Sequence, residues 1–476
     1  MTSASYPDDK ERLLFLTCVL LGVSACTVPS ALLSIDVQDP ARLDAFCVNL
    51  GSNGARRFGQ RFEVSSGEKF PQSLGIRADG RTSVVARVDG LSGGMPIGST
   101  TAQFKFSGRN DDSFVLGLAV CAPRSNPGAL QARATAEVPD GARLTALRTG
   151  AEASGGAELV ALADASGARL TLAGVMLTTL SVPGAGGAVT QLLSHDVDSD
   201  CADDLVVAST ARAPAIQPSA SDGAVTVDPS RIAANVPASL AMAFADLNAD
   251  HHADLVTIAS EGVVVLKAEG SGYSEITDAI DTQPAGARTL AVGDLDGDDS
   301  PDALVSVSQG PLYFMRSARN GHLSLATSPV SEMLDASVVL LHDVDGDRDL
   351  DAIVVAHMPS VGVRVLLNDS SGSFTGFTDR TADLVPAALA VDASAMMFGD
   401  VDGDCRDELL VLPLNGPPLV YDLALSTGIL TLRATLGSAI AQSAVIADLD
   451  GDGIAEVSLL TGSKVVVWST TSGSGT

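Results

Sequence analysis

One pattern occurs six times between residues 195 and 460: "HDVDSDCADDLVVA" from His195, "ADLNADHHADLVTIA" from Ala245, "GDLDGDDSPDALVSV" from Gly293, "HDVDGDRDLDAIVV" from His342, "GDVDGDCRDELLVL" from Gly399 and "ADLDGDGIAEVSLL" from Ala447. Their first acidic residues, Asp196, Asp246, Asp294, Asp343, Asp400 and Asp448, follow one another at 50, 48, 49, 57 and 48 residues. Self-similarity at a fixed period means stacked units, none of which can bury its apolar face alone. A period near 48 suits one four-stranded propeller blade. One period earlier, "LTALRTGAEASGGAELVALADASGARLTLAG" keeps the frame of strand, loop and strand, but Gly150, Glu152 and Ser154 stand at the acidic positions. That makes seven blades, the first of which has lost its aspartates.

Composition agrees with this architecture. Hydrophobic residues make up 46%, charged ones 18% and aromatic ones 4%, with 46 glycines. Such a chain folds, and it favours short strands joined by tight turns. The last blade is one strand short, with strands expected near Ala444–Ala447, Val457–Leu460 and Val465–Trp468 before the tail "TTSGSGT". The stretch "QARATAEV", Gln131 to Val138, lies just ahead of the first blade and is expected to supply the missing outer strand. Closure of that kind removes exposed sheet edges.

Within each copy acids or amides fall at positions 1, 3, 5 and 9. They are Asp196, Asp198, Asp200 and Asp204; Asp246, Asn248, Asp250 and Asp254; Asp294, Asp296, Asp298 and Asp302; Asp343, Asp345, Asp347 and Asp351; Asp400, Asp402, Asp404 and Glu408; Asp448, Asp450, Asp452 and Glu456. Spacing by two around a tight turn lets side chains converge on one point, as in the first half of an EF-hand loop. Gly297, Gly346, Gly403 and Gly451 at position 4 permit a positive φ. Clustered carboxylates repel one another without a cation, and hard oxygen donors without His or Cys favour Ca²⁺ over zinc or copper. Backbone carbonyls, foremost at position 7, and water would complete ~6 to 8 ligands at each of up to six ions. The Asp246 loop, with one charge fewer, is expected to bind more weakly. These positions hold 23 carboxylates, so without them the net charge of −29 would be −6. The acidity is local, and it argues against nucleic acid, whose phosphates need Lys and Arg.

The N-terminal segment "KERLLFLTCVLLGVSACT" carries Lys10 and Arg12 ahead of an apolar run from Leu13 to Val23, too short to span a bilayer. It resembles a bacterial lipoprotein signal whose lipobox ends at Cys26, the residue that would be lipidated; Asp8, Asp9 and Glu11 depart from the usual positive end. A plain secretory signal is the alternative. Exported placement at an outer membrane or cell surface follows, with the membrane touched through the lipid alone. From residue 26 to 122, alternating runs such as "LLSIDV", "TSVVARVDGL" and "SFVLGLAV" suggest an immunoglobulin-like β-sandwich. In it Cys47 and Cys121 are expected to form a disulfide. The expected organisation is a signal peptide over 1–25, the sandwich over 26–122, a linker over 123–130, the propeller over 131–470 and a flexible tail over 471–476. The fold class is all-β.

The motifs "MFGDVDGDCRDELLVL", from Met397, and "VRVLLNDSSGSF", Val363 to Phe374, resemble FG-GAP, or VCBS-type, repeats, the family of the integrin α-subunit propeller and many bacterial surface proteins. The resemblance covers about residues 141 to 470. It implies that the aspartate loop joins the first and second strands of each blade, that calcium ions sit on one face of the ring, and that the first blade is metal-free. Cys201 and Cys405, both at position 6 of their loops, would stand too far apart for a disulfide.

Gly90-Leu91-Ser92-Gly93-Gly94 fits G-x-S-x-G, but it sits in a glycine-rich turn with no helix after it, so a nucleophile elbow is not expected. His195, His342, His251 and His252 are expected to be solvated loop residues. With no H-E-x-x-H and no cofactor fingerprint, the expected function is non-enzymatic: a calcium-stabilised binding, adhesion or scaffold module for a protein or polysaccharide partner. One Trp and four Tyr offer little for aromatic sugar platforms. The alternative is a propeller-type hydrolase or lyase whose site is assembled across blades.

Overall fold

The computed structural model describes residues 30–37, 45–52, 55–64, 72–77, 83–92, 95–105, 112–118, 129–147, 157–163, 166–171, 174–181, 188–197, 202–209, 214–217, 238–248, 250, 252–269, 272–276, 279–298, 300–326, 332–347, 349–368, 374–404, 406–424, 427–450 and 454–470. The signal segment with Cys26, and Cys121, Cys201 and Cys405, lie outside these residues, as do Asp198, Asp200, Asp452 and the loop of the first blade.

The N-terminal part is a two-layer β-sandwich. Strand Ser30–Val37 lies between Gln72–Arg77, antiparallel to it, and Asp112–Leu118, parallel to it. The other layer runs in the order Ala55–Glu63, Ala45–Ser52, Ser83–Ser92 and Met95–Lys105. Alternation puts Leu33, Ile35 and Val37 of one layer against Phe46, Val48, Ala86 and Val88 of the other. Cys47 is buried and disulfide-bonded. Gly90, Leu91 and Ser92 end the strand Ser83–Ser92, which pairs antiparallel with Met95–Lys105, whereas a nucleophile elbow leads from a strand into a helix; Gly93 and Gly94 lie outside the described residues.

Seven further sheets form the propeller. Their inner strands are Arg143–Leu147, Val189–His195, Ser239–Ala245, Ala287–Gly293, Val338–His342, Ala393–Gly399 and Ser443–Ala447. Each adjoins the next, and the last adjoins the first, which closes the ring. Across the closure Leu144 N–H donates to Ser443 Oγ at 3.0 Å and Arg143 Nη1 to the Gln442 carbonyl at 2.9 Å. The seventh sheet takes its outer strand from Leu130–Glu137, which pairs antiparallel with Lys464–Thr470, as expected for the stretch around Gln131.

The second strands of the blades carrying intact loops begin at position 9: Asp204–Ser209, Asp254–Ala259, Asp302–Val307, Asp351–Ala356, Glu408–Pro413 and Glu456–Thr461. The first five are buried along their whole length because each lies mid-sheet with neighbouring blades on both faces. That is why they read as unbroken apolar runs without alternation. Where blades meet beside the loops, the residue before position 1 fits the neighbouring inner strand. A Cβ on Gly399 would come 2.5 Å from Ile446 Cγ2, and one on Gly293 would come 3.2 Å from Leu341 Cδ1 of the next inner strand and 2.5 Å from Leu350 Cδ1 of the next loop. At the same position His342 stacks on Phe398 with ring centroids 4.0 Å apart, and His195 on Phe244 at 4.4 Å. These two histidines are therefore packing residues between blades, not the solvated loop residues expected from sequence. Burial lowers the His342 pKa.

Candidate calcium loops

Each acidic loop closes a hairpin in one register. The last residue of the inner strand pairs with position 9: His195 with Asp204, Ala245 with Asp254, Gly293 with Asp302, His342 with Asp351, Gly399 with Glu408 and Ala447 with Glu456. The loop between turns through glycine at positive φ, +70° at Gly297, +83° at Gly346 and +78° at Gly403. Short-range hydrogen bonds curl it. Asp294 Oδ1 accepts from the N–H of Asp298 at 3.1 Å, and Asp345 Oδ1 from that of Asp347 at 3.3 Å. Asp347 Oδ1 accepts in turn from Asp349 N–H at 2.9 Å. Each of these bonds is accepted by an Oδ1 atom.

Carboxylate oxygens lie within 4.8 Å of one another in four loops: Asp294, Asp296 and Asp302; Asp343, Asp345 and Asp347; Asp400, Asp402 and Asp404; and Asp448, Asp450 and Glu456. In the Asp246 loop, Asn248 Nδ2 donates to both oxygens of Asp254, at 3.3 and 3.0 Å, so the amide replaces like-charge repulsion with a hydrogen bond.

Position 9 has a second role that spacing could not show. It is at most 3% exposed in all six copies. In each, one oxygen accepts the backbone N–H of position 2: Val197 and Leu247 and Leu295 at 3.2 Å, Val344 at 2.8 Å, Val401 at 3.0 Å and Leu449 at 2.8 Å. In three copies the other oxygen accepts an N–H at the end of the third strand, from Ala268, Ser317 or Asn368, at 2.8 to 2.9 Å. The acid thus ties loop, second strand and third strand together. Loops also grip neighbouring blades. Asn368 Nδ2 donates to the Leu295 carbonyl at 3.0 Å, Gly321 N–H to that of Leu247 at 3.0 Å, and Ala455 N–H to that of Asp400 at 3.1 Å.

Desolvation raises the pKa of these buried acids: Asp254 to about 6, Asp302 and Asp351 to about 7 and Glu408 to about 9. A raised carboxyl pKa means that the folded chain holds a proton which the unfolded chain has released between pH ~4 and the folded value. Stability of the ion-free protein is therefore expected to fall as pH rises from 4.5 through about 7. Melting in chelator at about pH 5.5 and about pH 8 checks this; equal or higher stability at pH 8 would contradict it.

Cationic side chains from third and fourth strands reach four loops, a feature outside the repeated motif that sequence reading missed. Arg316 Nε lies 2.6 Å from Asp296 Oδ2, Lys267 Nζ 3.6 Å from Asp250, Arg133 Nη1 3.8 Å from Asp450, and Arg433 Nη1 2.5 Å from Asp402 Oδ2. They partly neutralise the clusters. Asp296 Oδ1 and Asp298 Oδ1 nevertheless stay buried with no hydrogen-bond partner. Orphaned, convergent carboxylate oxygens with no soft donor beside them fit a hard divalent cation.

A closed ring of seven sheets, six of them four-stranded and the second three-stranded among the described residues, with acidic loops at one end of the inner strands defines a repeat β-propeller. The FG-GAP-like repeat family matches residues 246–305 and 343–411. Those two stretches are FG-GAP-like repeats within the β-propeller. No curated protein matches the chain. Among solved structures it is similar to an Agrocybe aegerita lectin described for specific recognition of non-reducing terminal N-acetylglucosamine, at 15% identity and TM-score 0.46 over 68% of this chain and 88% of that one. It is also similar to BBS1N in complex with ARL6DN, soaked with mercury (14% identity, TM-score 0.48) or with lead (13%, 0.48). Each of these matches covers 73% of this chain and 99% of the other.

Proposed function

We propose that this protein is an exported, calcium-stabilised binding or scaffold module, lipid-anchored through Cys26, whose propeller presents the face opposite the acidic loops to a protein or polysaccharide partner. One observation carries the choice of face. Inner strands run toward the loops, so their starts, the connections between blades and the hairpins between second and third strands all lie at the other end. There Leu240, Met333, Met358, Val361, Leu414 and Ile440 are 39 to 51% exposed. Large apolar side chains left in water on one face mark an interaction surface. In the sandwich, the buried, disulfide-bonded Cys47 supports the Cys47–Cys121 pairing.

The test uses the full chain as bait on cell-surface extract and on purified surface polysaccharide. A Met358→Asp/Leu414→Asp double variant is expected to lose at least about tenfold in capture, since each change puts a charge into a desolvated contact. Equal capture by variant and natural chain would remove this face from the proposal.

A hydrolase or lyase is the second reading, and one group favours it. On the same face His357 Nε2 lies 3.0 Å from Asp392 Oδ1, and its Nδ1 lies 3.8 Å from Asp335, which Arg288 holds at 2.9 Å. A histidine oriented between carboxylates suits proton transfer. Turnover of an ester, phosphodiester or glycoside probe that disappears in His357→Ala would establish this reading, and no turnover of any probe would end it.

A further inference from the structure

We propose that Arg433 is a built-in counter-ion that keeps calcium out of the loop of the sixth blade. The inference rests on the calcium reading of the other loops. Arg433 lies in Ile429–Thr435, the outer strand of that blade. The ladder pairs Val420 with Ala434 but Tyr421 with Leu432, so Arg433 is the extra residue of a β-bulge. Bulges re-aim side chains, and this one sends the guanidinium over the loop. Nη1 lies 2.5 Å from Asp402 Oδ2 and 2.9 Å from Asp422 Oδ1. The Asp402 contact is one of charge without hydrogen-bond geometry, since that oxygen has no hydrogen-bond partner.

The guanidinium serves a pocket of three acids. Oxygens of Asp402, Glu408 and Asp422 converge within 4.8 Å, and Asp402 and Glu408 are also ligand positions 3 and 9. The Asp402 side chain is fully buried and that of Arg433 is 19% exposed, so water screens the pair little. Arginine keeps its charge at any accessible pH. A divalent ion among Asp400, Asp402, Asp404 and Glu408 would therefore meet a fixed positive charge that uses one of its ligands. Arg316 in the fourth blade makes an instructive contrast. It touches Asp296 and Asp298, but it is 54% exposed and can withdraw into solvent when an ion arrives. Arg433 is held from behind by Asp422, a residue outside the repeated motif.

Calcium bound per chain, counted by equilibrium dialysis of the full-length protein at about 1 mM free ion, tests the inference. Arg433→Gln and Arg433→Met are each expected to bind one more equivalent than the natural chain, with affinity at that loop raised at least about tenfold. Arg433→Lys, which keeps the charge, and Arg316→Gln should bind the natural number. If the natural chain binds calcium but neither neutral variant gains an equivalent, this inference fails and the calcium reading stands. If no form binds calcium, both fail. Circular dichroism checks folding. Should the neutral variants not fold, Asp422→Asn, which releases the arginine from behind, must show the extra equivalent, and its absence overturns the inference.

Discussion

Transfer from chelator into about 1 mM calcium is expected to raise the melting temperature of the protein by roughly 10 °C. An extracellular site with an affinity near 10⁻⁴ M contributes about 1.4 kcal/mol at that concentration, and four or more such loops act together because they grip neighbouring blades. The Asn368, Gly321 and Ala455 contacts carry the effect of an ordered loop into the next sheet. The shift should shrink at about pH 5.5, where protons compete for Asp302 and Asp351. Differential scanning calorimetry with chelator, calcium and magnesium makes the comparison. A calcium shift below about 2 °C would mean that backbone hydrogen bonds and the cations of the third and fourth strands hold the loops without an ion.

Much of this architecture was legible because the sequence repeats its own instructions. The frame of Asp343, Gly346 and Asp351 fixes where an inner strand ends, where the chain turns and where the second strand starts, and six copies set the period. Closure by the strand around Gln131 followed from the seventh blade lacking a partner. What could not be read lies at the contacts between repeats. His342 stands beside an aspartate and looks solvated until Phe398 arrives from the next blade, 56 residues later. Arg433 is 25 residues downstream of Glu408, and only a bulge brings it to Asp402. No spacing rule encodes either contact, because each depends on how a side chain leaves a strand whose own periodicity is ordinary. The same limit hid the double duty of position 9, which spacing identifies as an oxygen ligand while burial and the third strand make it a structural clasp.

That double duty separates two substitutions in a single loop. Asp351→Ala is expected to cost about 3 to 5 kcal/mol even in chelator, because it strands two buried donors, the N–H groups of Val344 and Asn368, each now held at 2.8 Å. Asp347→Ala, at an exposed position, should cost less than about 1 kcal/mol in chelator yet diminish the calcium-induced shift. Asp351→Asn should fall between them, since its carbonyl oxygen can accept one of the two hydrogen bonds while its amide opposes the other donor. If position 9 were only an ion ligand, the two alanine variants would behave alike: near-natural stability in chelator and the same reduced shift in calcium. Urea unfolding of the three variants with and without calcium distinguishes these patterns. Equal stability of Asp351→Ala and Asp347→Ala in chelator would show that the clasp contributes nothing and that the carboxylate is there for the ion.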